Sequence, residues 1–188
     1  MSSIRLYILG ALDERGAMHG HQLRLLAEEE HVHLWTDVTV GAIYGAIKRL
    51  TAEGLISPER VEREGNYPER QVYAITEAGR EALAGLRLGG LEEIVMKPDP
   101  FDLAMTRLDP ELLPELPSVI TARIERLHLM LEESEGHLRR ALPYLTVSER
   151  FVMKHKADRL RAEIAWHNQL VTELPDIIAD ESARKEPS

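Results

Sequence analysis

Apolar residues recur at three- and four-residue steps through Val40, Ile43, Ile47 and Leu50, the spacing that gathers side chains into one buried stripe of a helix. Thr39 stands ahead of this run as the candidate N-cap. Gly54 stands behind it as the stop, because glycine enters the left-handed cap conformation without steric cost. The face left over carries Tyr44, Lys48 and Arg49. Beyond Leu55 and Ile56 the period changes from helical to alternating. Val61 and Arg63 alternate, residues 64–69 hold the turn formers Gly65, Asn66 and Pro68, and residues 71–75 alternate again. This predicts a β-hairpin with Arg63, Asn66 and Arg70 near its tip. Thr76 and Glu77 then open a capped helix, TEAGREALAGL, with an acid in its first turn. Upstream, Ile4, Leu6, Leu9 and Leu12 give MSSIRLYILGAL the apolar face of a first helix. That run is too short, and too soon interrupted by Asp13-Glu14-Arg15, to read as a secretion signal.

The C-terminal half carries a longer rhythm. Ile120, Ile124, Leu127, Leu131, Ser134 and Leu138 step by four and three, and so do Met153, Ala157, Leu160, Ile164, His167, Val171 and Leu174. This is the knob spacing of coiled-coil packing. It predicts two helices of about six turns each, joined through LPYLTVSER as an antiparallel hairpin too thin to bury both faces alone. A partner surface is therefore expected, with Ile120, Ile124, Leu127, Leu131, Leu138, Leu160, Ile164, His167 and Val171 as its residues. The alternative is a monomer whose hairpin folds back on the N-terminal domain. Between the halves, Gly89-Gly90 and Pro98, Pro100, Pro110, Pro114 and Pro117 interrupt long helices. The two glycines read either as a hinge or as an ordinary helix end. The expected division is 1–88 as one domain, 89–117 as a Pro-rich structured connector, 118–178 as the helical dimerisation domain and 179–188 as a flexible tail.

Helix, tight stop, hairpin and capped helix, in that order, form the layout of a winged helix-turn-helix. The expected fold is thus mainly α with a small β-hairpin wing, followed by a coiled-coil-like helical hairpin. Long side chains, two of them cationic, on the outer face of the second helix suit phosphates and base edges in a major groove.

Three ordered motifs carry a resemblance to a known family: HGHQL at residues 19–23, GAIYGAIKRLTAEGLI at 41–56 and RQVYAITEAGR at 70–80. Together they resemble the PadR-like transcriptional regulators, over most of the first eighty or so residues. The combination of Gly41, Tyr44, Arg49-Leu50, Gly54-Leu55-Ile56, Tyr73 and Ile75-Thr76-Glu77-Ala78-Gly79 is narrower than a generic winged helix supplies. KPDPFDLAM is similar, more weakly, to a subgroup of that family. Where the family often has a hydroxyl residue after the glycine and a proline after the tyrosine, this chain has Ala42 and Gly45. Ala42 removes one phosphate contact, and Gly45 inside a helix costs roughly 1 kcal/mol relative to alanine. The resemblance implies a homodimeric repressor that binds a pseudo-palindromic operator in double-stranded DNA and is released by a small-molecule effector. The candidate DNA-binding residues are Thr39, Gly41, Ala42, Tyr44, Lys48 and Arg49 on the helix, with Arg63, Asn66 and Arg70 on the wing.

Charge complicates this picture. The 188-residue chain has a formal net charge of −9, and residues 1–88 carry ten Lys and Arg against thirteen Asp and Glu, whereas a basic footprint is the usual sign of a nucleic-acid binder. Distribution favours DNA all the same, since Lys48, Arg49, Arg63 and Arg70 fall on the helix and hairpin while Glu28, Glu29 and Glu30 sit on a separate helix. Modest affinity per domain, and two domains per site, are expected. The acidic balance supports the rival reading, a dimeric winged-helix adaptor that binds protein.

Remaining chemistry is sparse. There is no cysteine, hence no disulfide framework or thiolate site, and an intracellular, cytoplasmic setting fits. No apolar run reaches the eighteen or so residues of a membrane span. The chain lacks a G-x-S-x-G elbow, a phosphate-cradling glycine loop and an HExxH pair, so it does not read as an enzyme, and no cofactor is called for. His19 and His21, with His31 and His33, form two His-x-His pairs; either they hold a metal, or His19 caps a helix and no metal binds, the reading preferred because the pairs flank a helix. Arg139, Arg140, Arg150, Lys154, Lys156, Arg159 and Arg161 surround the hairpin bend. They read as a solvated face answering Glu132, Glu133 and Glu135, with flanking DNA or an acidic ligand as the alternative. His167 reads as a register-setting polar seam residue, and Trp35 and Trp166 as core or interface anchors.

Overall fold

The computed structural model of the chain describes residues 2–63 and 69–184. Two compact units emerge, Met1–Val95 and Met96–Ser188. The first opens with α1 (Ser3–Arg15), whose Ile8, Leu9 and Leu12 are buried and whose end is turned by Gly16 at φ +84°. A two-residue strand, β1 (Met18–His19), leads directly into α2 (Gly20–Glu29). A 3-10 turn at Val40–Ala42 precedes α3 (Ile43–Ala52), and β2 (Ile56–Glu62), β3 (Arg70–Ile75) and α4 (Glu77–Glu92) complete the unit. The sheet is antiparallel in the order β1-β3-β2. Helices α1, α2, α3 and α4 pack with it into one core of Ile8, Leu9, Leu12, Leu23, Leu26, Ile43, Ile47, Leu50 and Leu83 from the helices and Ile56 and Ile75 from the strands.

Local chemistry fixes both ends of α3, differently at each. Thr39 does not cap it with its side chain: its hydroxyl makes no cap hydrogen bond, and its carbonyl instead accepts Ala42 N–H at 3.0 Å within the 3-10 turn. The turn displaces the helix start to Ile43 and leaves Val40 only half-buried. At the other end Gly54 sits at φ +72°. Its N–H donates to the Thr51 carbonyl at 3.0 Å and Leu55 N–H to the Leu50 carbonyl at 2.9 Å, the paired bonds of a Schellman cap.

The chain leaves that cap, runs through the wing and returns to it. Thr76 N–H donates to the Leu55 carbonyl at 3.1 Å, and Thr76 Oγ1 donates to the Gly54 carbonyl at 2.8 Å while accepting Gly79 N–H at 3.0 Å. A Cβ on Gly79 would lie 2.1 Å from the Leu55 carbonyl oxygen. Glycine there permits the start of α4 to close onto the end of α3. On the outer strand, β2, Pro58 pairs with Tyr73 and Arg60 with Val72, with an irregularity between them; an edge strand tolerates both the proline and the bulge. Helix α4 continues through Gly89 and Gly90 to Glu92, with Glu93 N–H bonded to the Gly89 carbonyl at 3.0 Å, so the glycines lie in its last turn.

The second unit starts with α5 (Pro100–Met105), capped by Asp99, whose Oδ1 accepts Phe101 N–H at 2.9 Å. Two long helices follow, α6 (Leu116–Ala141) and α7 (Val147–Ala183). Between them Thr146 and Glu149 form a reciprocal capping box, which holds the Glu149 carboxyl below its ordinary range. Arg123 on α6 reaches His167 on α7, and Arg161 on α7 reaches Glu135 on α6, so the pair is an antiparallel hairpin. Residues expected as a tail are helical as far as Ala183. Ile177 and Ile178 pack on the Leu116, Ile120, Leu170 and Leu174 cluster, and Arg184 pairs with Asp180 at 2.9 Å one turn back.

Part of the heptad set is covered within one chain. Ile120, Leu160, Ile164 and His167 are buried by packing of α6 on α7 within a single chain; Ile124, Leu127, Leu131 and Leu138 are half-buried; Val171 is exposed. A spacing of three and four states that a stripe is covered, and does not state by which helix. Outward apolar residues lie off this seam, among them Val119, Leu129, Met130 and Val152. No described helix is long and apolar enough to cross a membrane.

Candidate nucleic-acid interface

Helix α3 buries Ile43, Ala46, Ile47 and Leu50 and turns Tyr44, Lys48 and Arg49 outward. Tyr44 and Lys48 are one turn apart and Arg49 adjoins them, so the three form one ridge. Neither cation makes an ion pair with a described residue. The Arg49 guanidinium lies back over Gly45, 3.5 Å from where a Cβ would stand. Thr39 and Gly41 are exposed and Ala42 half-buried at the leading end of this ridge. A Cβ at Gly41 would meet nothing within 4 Å, so the protein's own packing does not demand glycine there.

On the wing, Arg63 is exposed and Arg70 is half-buried, in register with Glu62 across the hairpin. Asn66 and the expected tip at 64–68 lie outside the described residues. Arg60 also sits on this hairpin, but Glu59 and Glu62 both bind its guanidinium, the latter at 2.7 Å. Its charge is answered within the strand. The helix ridge and the two expected wing arginines therefore share one small unit, with the cations of the ridge unneutralised by described acids.

His19 joins the two parts. Its Nδ1 accepts Gln22 N–H at 3.0 Å, and Gln22 Oε1 accepts His19 N–H at 2.9 Å, a reciprocal capping box at the head of α2. The same residue pairs with Val72 of β3. Burial, followed by the Arg70 charge, lowers its pKa. A ring that accepts at Nδ1 and resists protonation is a neutral cap. No group of three or more His, Cys, Asp or Glu suited to a metal occurs among the described residues; His19 stacks on His21 at 6.1 Å, and His31 meets His33 edge-on at 6.1 Å. Sequence reasoning singled out His19 without seeing this box or β1. The signal was present: His-x-x-Gln has the spacing of a Ser-x-x-Glu box with the imidazole nitrogen as acceptor.

Three of the seven cations at the hairpin bend pair with acids. Lys154 pairs with Asp158 at 2.6 Å, Arg161 with Asp158 at 2.7 Å and also with Glu135, and Arg139 with Glu135 at 3.8 Å. Hydrogen bonds from Lys154, then its charge and that of Arg161, hold the Asp158 carboxyl below its usual range. His167 is buried in the α6–α7 seam, accepting from Arg123 Nε at 2.8 Å and bonded through Nδ1 to the Glu163 carbonyl at 2.8 Å. Trp166 meets Phe101 edge-on at 5.9 Å, and Trp35, half exposed, directs its ring N–H at the Glu30 carbonyl.

No curated protein matches the chain in sequence. Among solved structures it resembles Bacillus subtilis PadR in complex with operator DNA, at 21% identity over 93% of this chain and 98% of that one, with a TM-score of 0.66. The same protein in complex with p-coumaric acid gives 18% identity, coverage of 93% and 99% and a TM-score of 0.67. A PadR-like transcriptional regulator from Bacillus cereus gives 21%, 90% and 94%, and 0.57. At these identities the likeness establishes the fold. Residues 8–85, most of the N-terminal unit, match the sequence model of the transcriptional regulator PadR-like family. The winged N-terminal unit is thus a domain of the PadR-like transcriptional regulator type.

Proposed function

We propose that the chain is a DNA-binding regulator that works as a homodimeric repressor on a pseudo-palindromic operator. The observation carrying this reading is the ridge Tyr44, Lys48 and Arg49, outward on a helix capped at Gly54 and left without acidic partners among the described residues. Helix α3 enters the major groove with Thr39, Gly41 and Ala42 leading, and Arg63, Asn66 and Arg70 hold backbone or minor groove from the wing. The bare backbone at Gly41 allows close approach of a phosphate. No catalytic chemistry, metal or cofactor belongs to this reading, and the setting is the cytoplasm.

A second copy supplies the other half-site. Because Leu160 and Ile164 already serve the hairpin's interior, substitution there unfolds it and reports nothing on association. Val119 and Met130 are both outward and lie three turns apart on one side of α6, and the reading assigns them to the contact between copies. Met130→Glu with Val119→Glu is expected to give a folded monomer in sedimentation; a persistent dimer moves the interface elsewhere. A small-molecule effector, of which p-coumaric acid in Bacillus subtilis PadR is the precedent, releases the operator by changing the angle between winged units.

Selection from random duplexes tests the main claim, since a recovered palindrome reports binding, symmetry and half-site spacing at once. Binding that falls steeply with salt supports the regulator. The acidic chain, at −9, gives the adaptor reading its footing, and absence of DNA binding at low salt by folded dimer would favour that reading instead.

A further inference from the structure

We propose that Gly20 is a positioning residue for Tyr44, present so that the phenol ring stands at a fixed angle on the outer face of α3; this rests on the DNA-binding reading above. Gly20 is the first residue of α2 and has no positive φ to require glycine. Its requirement is steric. A Cβ there would stand 2.8 Å from Tyr44 Cε1, 3.1 Å from Cδ1 and 3.2 Å from Ile47 Cδ1. The ring of Tyr44 thus rests edge-on against bare backbone, with 49% of the residue left exposed.

The backbone beneath the ring is held on two sides. The preceding residue, His19, is tied to β3 opposite Val72 and locked to Gln22 by two reciprocal hydrogen bonds. An added methyl at position 20 therefore cannot move α2 away. Of the atoms it would meet, Ile47 Cδ1 gives by a few tenths of an ångström, whereas the Tyr44 ring is the free end of a half-exposed side chain and swings toward solvent. The fold survives this substitution and the ridge does not keep its shape. Lys48 and Arg49 stay where they are, so the phosphate-neutralising charge is unaltered and the loss falls on the contact that Tyr44 makes.

The experiment is a double-mutant cycle on the full-length protein, using the duplex recovered by selection. Gly20→Ala is expected to weaken binding roughly tenfold, as for one good base-edge contact, with an unchanged slope of log affinity against log salt because no cation is lost. In a Tyr44→Ala background, where the methyl enters vacated space, Gly20→Ala should cost nothing further in affinity or thermal stability. An equal loss in both backgrounds overturns the proposal, as does wild-type affinity in the single variant. Should Gly20→Ala alone unfold, the comparison of melting temperatures remains: rescue by Tyr44→Ala supports the contact and no rescue refutes it. Wild-type protein that binds no duplex refutes the DNA reading itself, and the cycle in melting temperature still decides whether Gly20 and Tyr44 are coupled.

Discussion

Two basic clusters occur in this chain, and their surroundings separate them. On α3, Lys48 and Arg49 face outward with no acidic partner among the described residues; around the hairpin bend, Lys154, Arg161 and Arg139 are met by Asp158 and Glu135 at ion-pair distance. In a chain of net charge −9 a count of cations identifies neither. An unpaired cation gives up only counterions when a phosphate arrives, whereas a paired one must first surrender its carboxylate. Availability of charge, more than its amount, separates the α3 ridge from Lys154, Arg161 and Arg139.

The largest effect is expected from breaking the platform beneath the available cluster. Gly79→Ala drives a Cβ into the Leu55 carbonyl, separating the end of α3 from the start of α4, and should destabilise the winged unit by about 3 kcal/mol or more. Chemical denaturation followed site by site checks this, with the signals of α6 and α7 expected to persist; an unshifted midpoint for the winged unit would show the clamp to be dispensable. Next come the cations themselves. Lys48→Ala and Arg49→Ala should each weaken operator binding by roughly tenfold and lower the salt slope by about one, with the oligomeric state unchanged. Wild-type affinity in both variants removes α3 from the interface.

The pH dependence of His19 is smaller and has a definite sign. Its folded pKa is lowered, so between the folded value and the ordinary value near 6.5 the unfolded chain binds more protons than the folded one. Stability is complete above the unfolded pKa and falls as pH drops through it toward the folded value. The denaturation midpoint should therefore decline on acidification below about pH 6.5. His19→Asn keeps a capping side chain that does not titrate there, and should flatten this slope at a cost of no more than about 1 kcal/mol; an identical slope in the variant would assign the titration to another residue. The smallest effect concerns the neutralised cluster. Asp158→Asn removes the shared partner of Lys154 and Arg161 and should change stability by less than about 1 kcal/mol, while raising non-specific DNA retention slightly at low salt. A rise comparable to the loss from Lys48→Ala would end the contrast between the two regions.

Legibility in the sequence followed the range of the interactions. The buried stripe Ile43, Ile47 and Leu50, the stop at Gly54, the cap at Thr76 and the alternation of the wing each depend on neighbours within a few residues, and spacing reveals them. Thr39 misled because a 3-10 turn intervenes between an ideal cap residue and its helix, which periodicity does not register. The seam residues Ile120, Leu160 and Ile164 are only half legible for another reason: a heptad pattern is the same whether the opposing helix belongs to this chain or to a second one. Gly20 and Gly79 stand in the sequence as motif letters, and no neighbour in the chain gives a reason for either. Their reasons lie in Tyr44 and Leu55, each 24 residues away in the chain, and only the fold brings those atoms to 2.8 and 2.1 Å of a missing methyl.

The bonds from Thr76 to Gly54 and Leu55 close the base of the wing before its tip is reached. Residues added or removed beyond the Glu62–Arg70 pair therefore cost only the slow logarithmic penalty of loop size and leave α3 undisturbed. The outer end of the hairpin is in that sense an interchangeable fitting on a fixed socket, whose reach can be retuned without recutting α3.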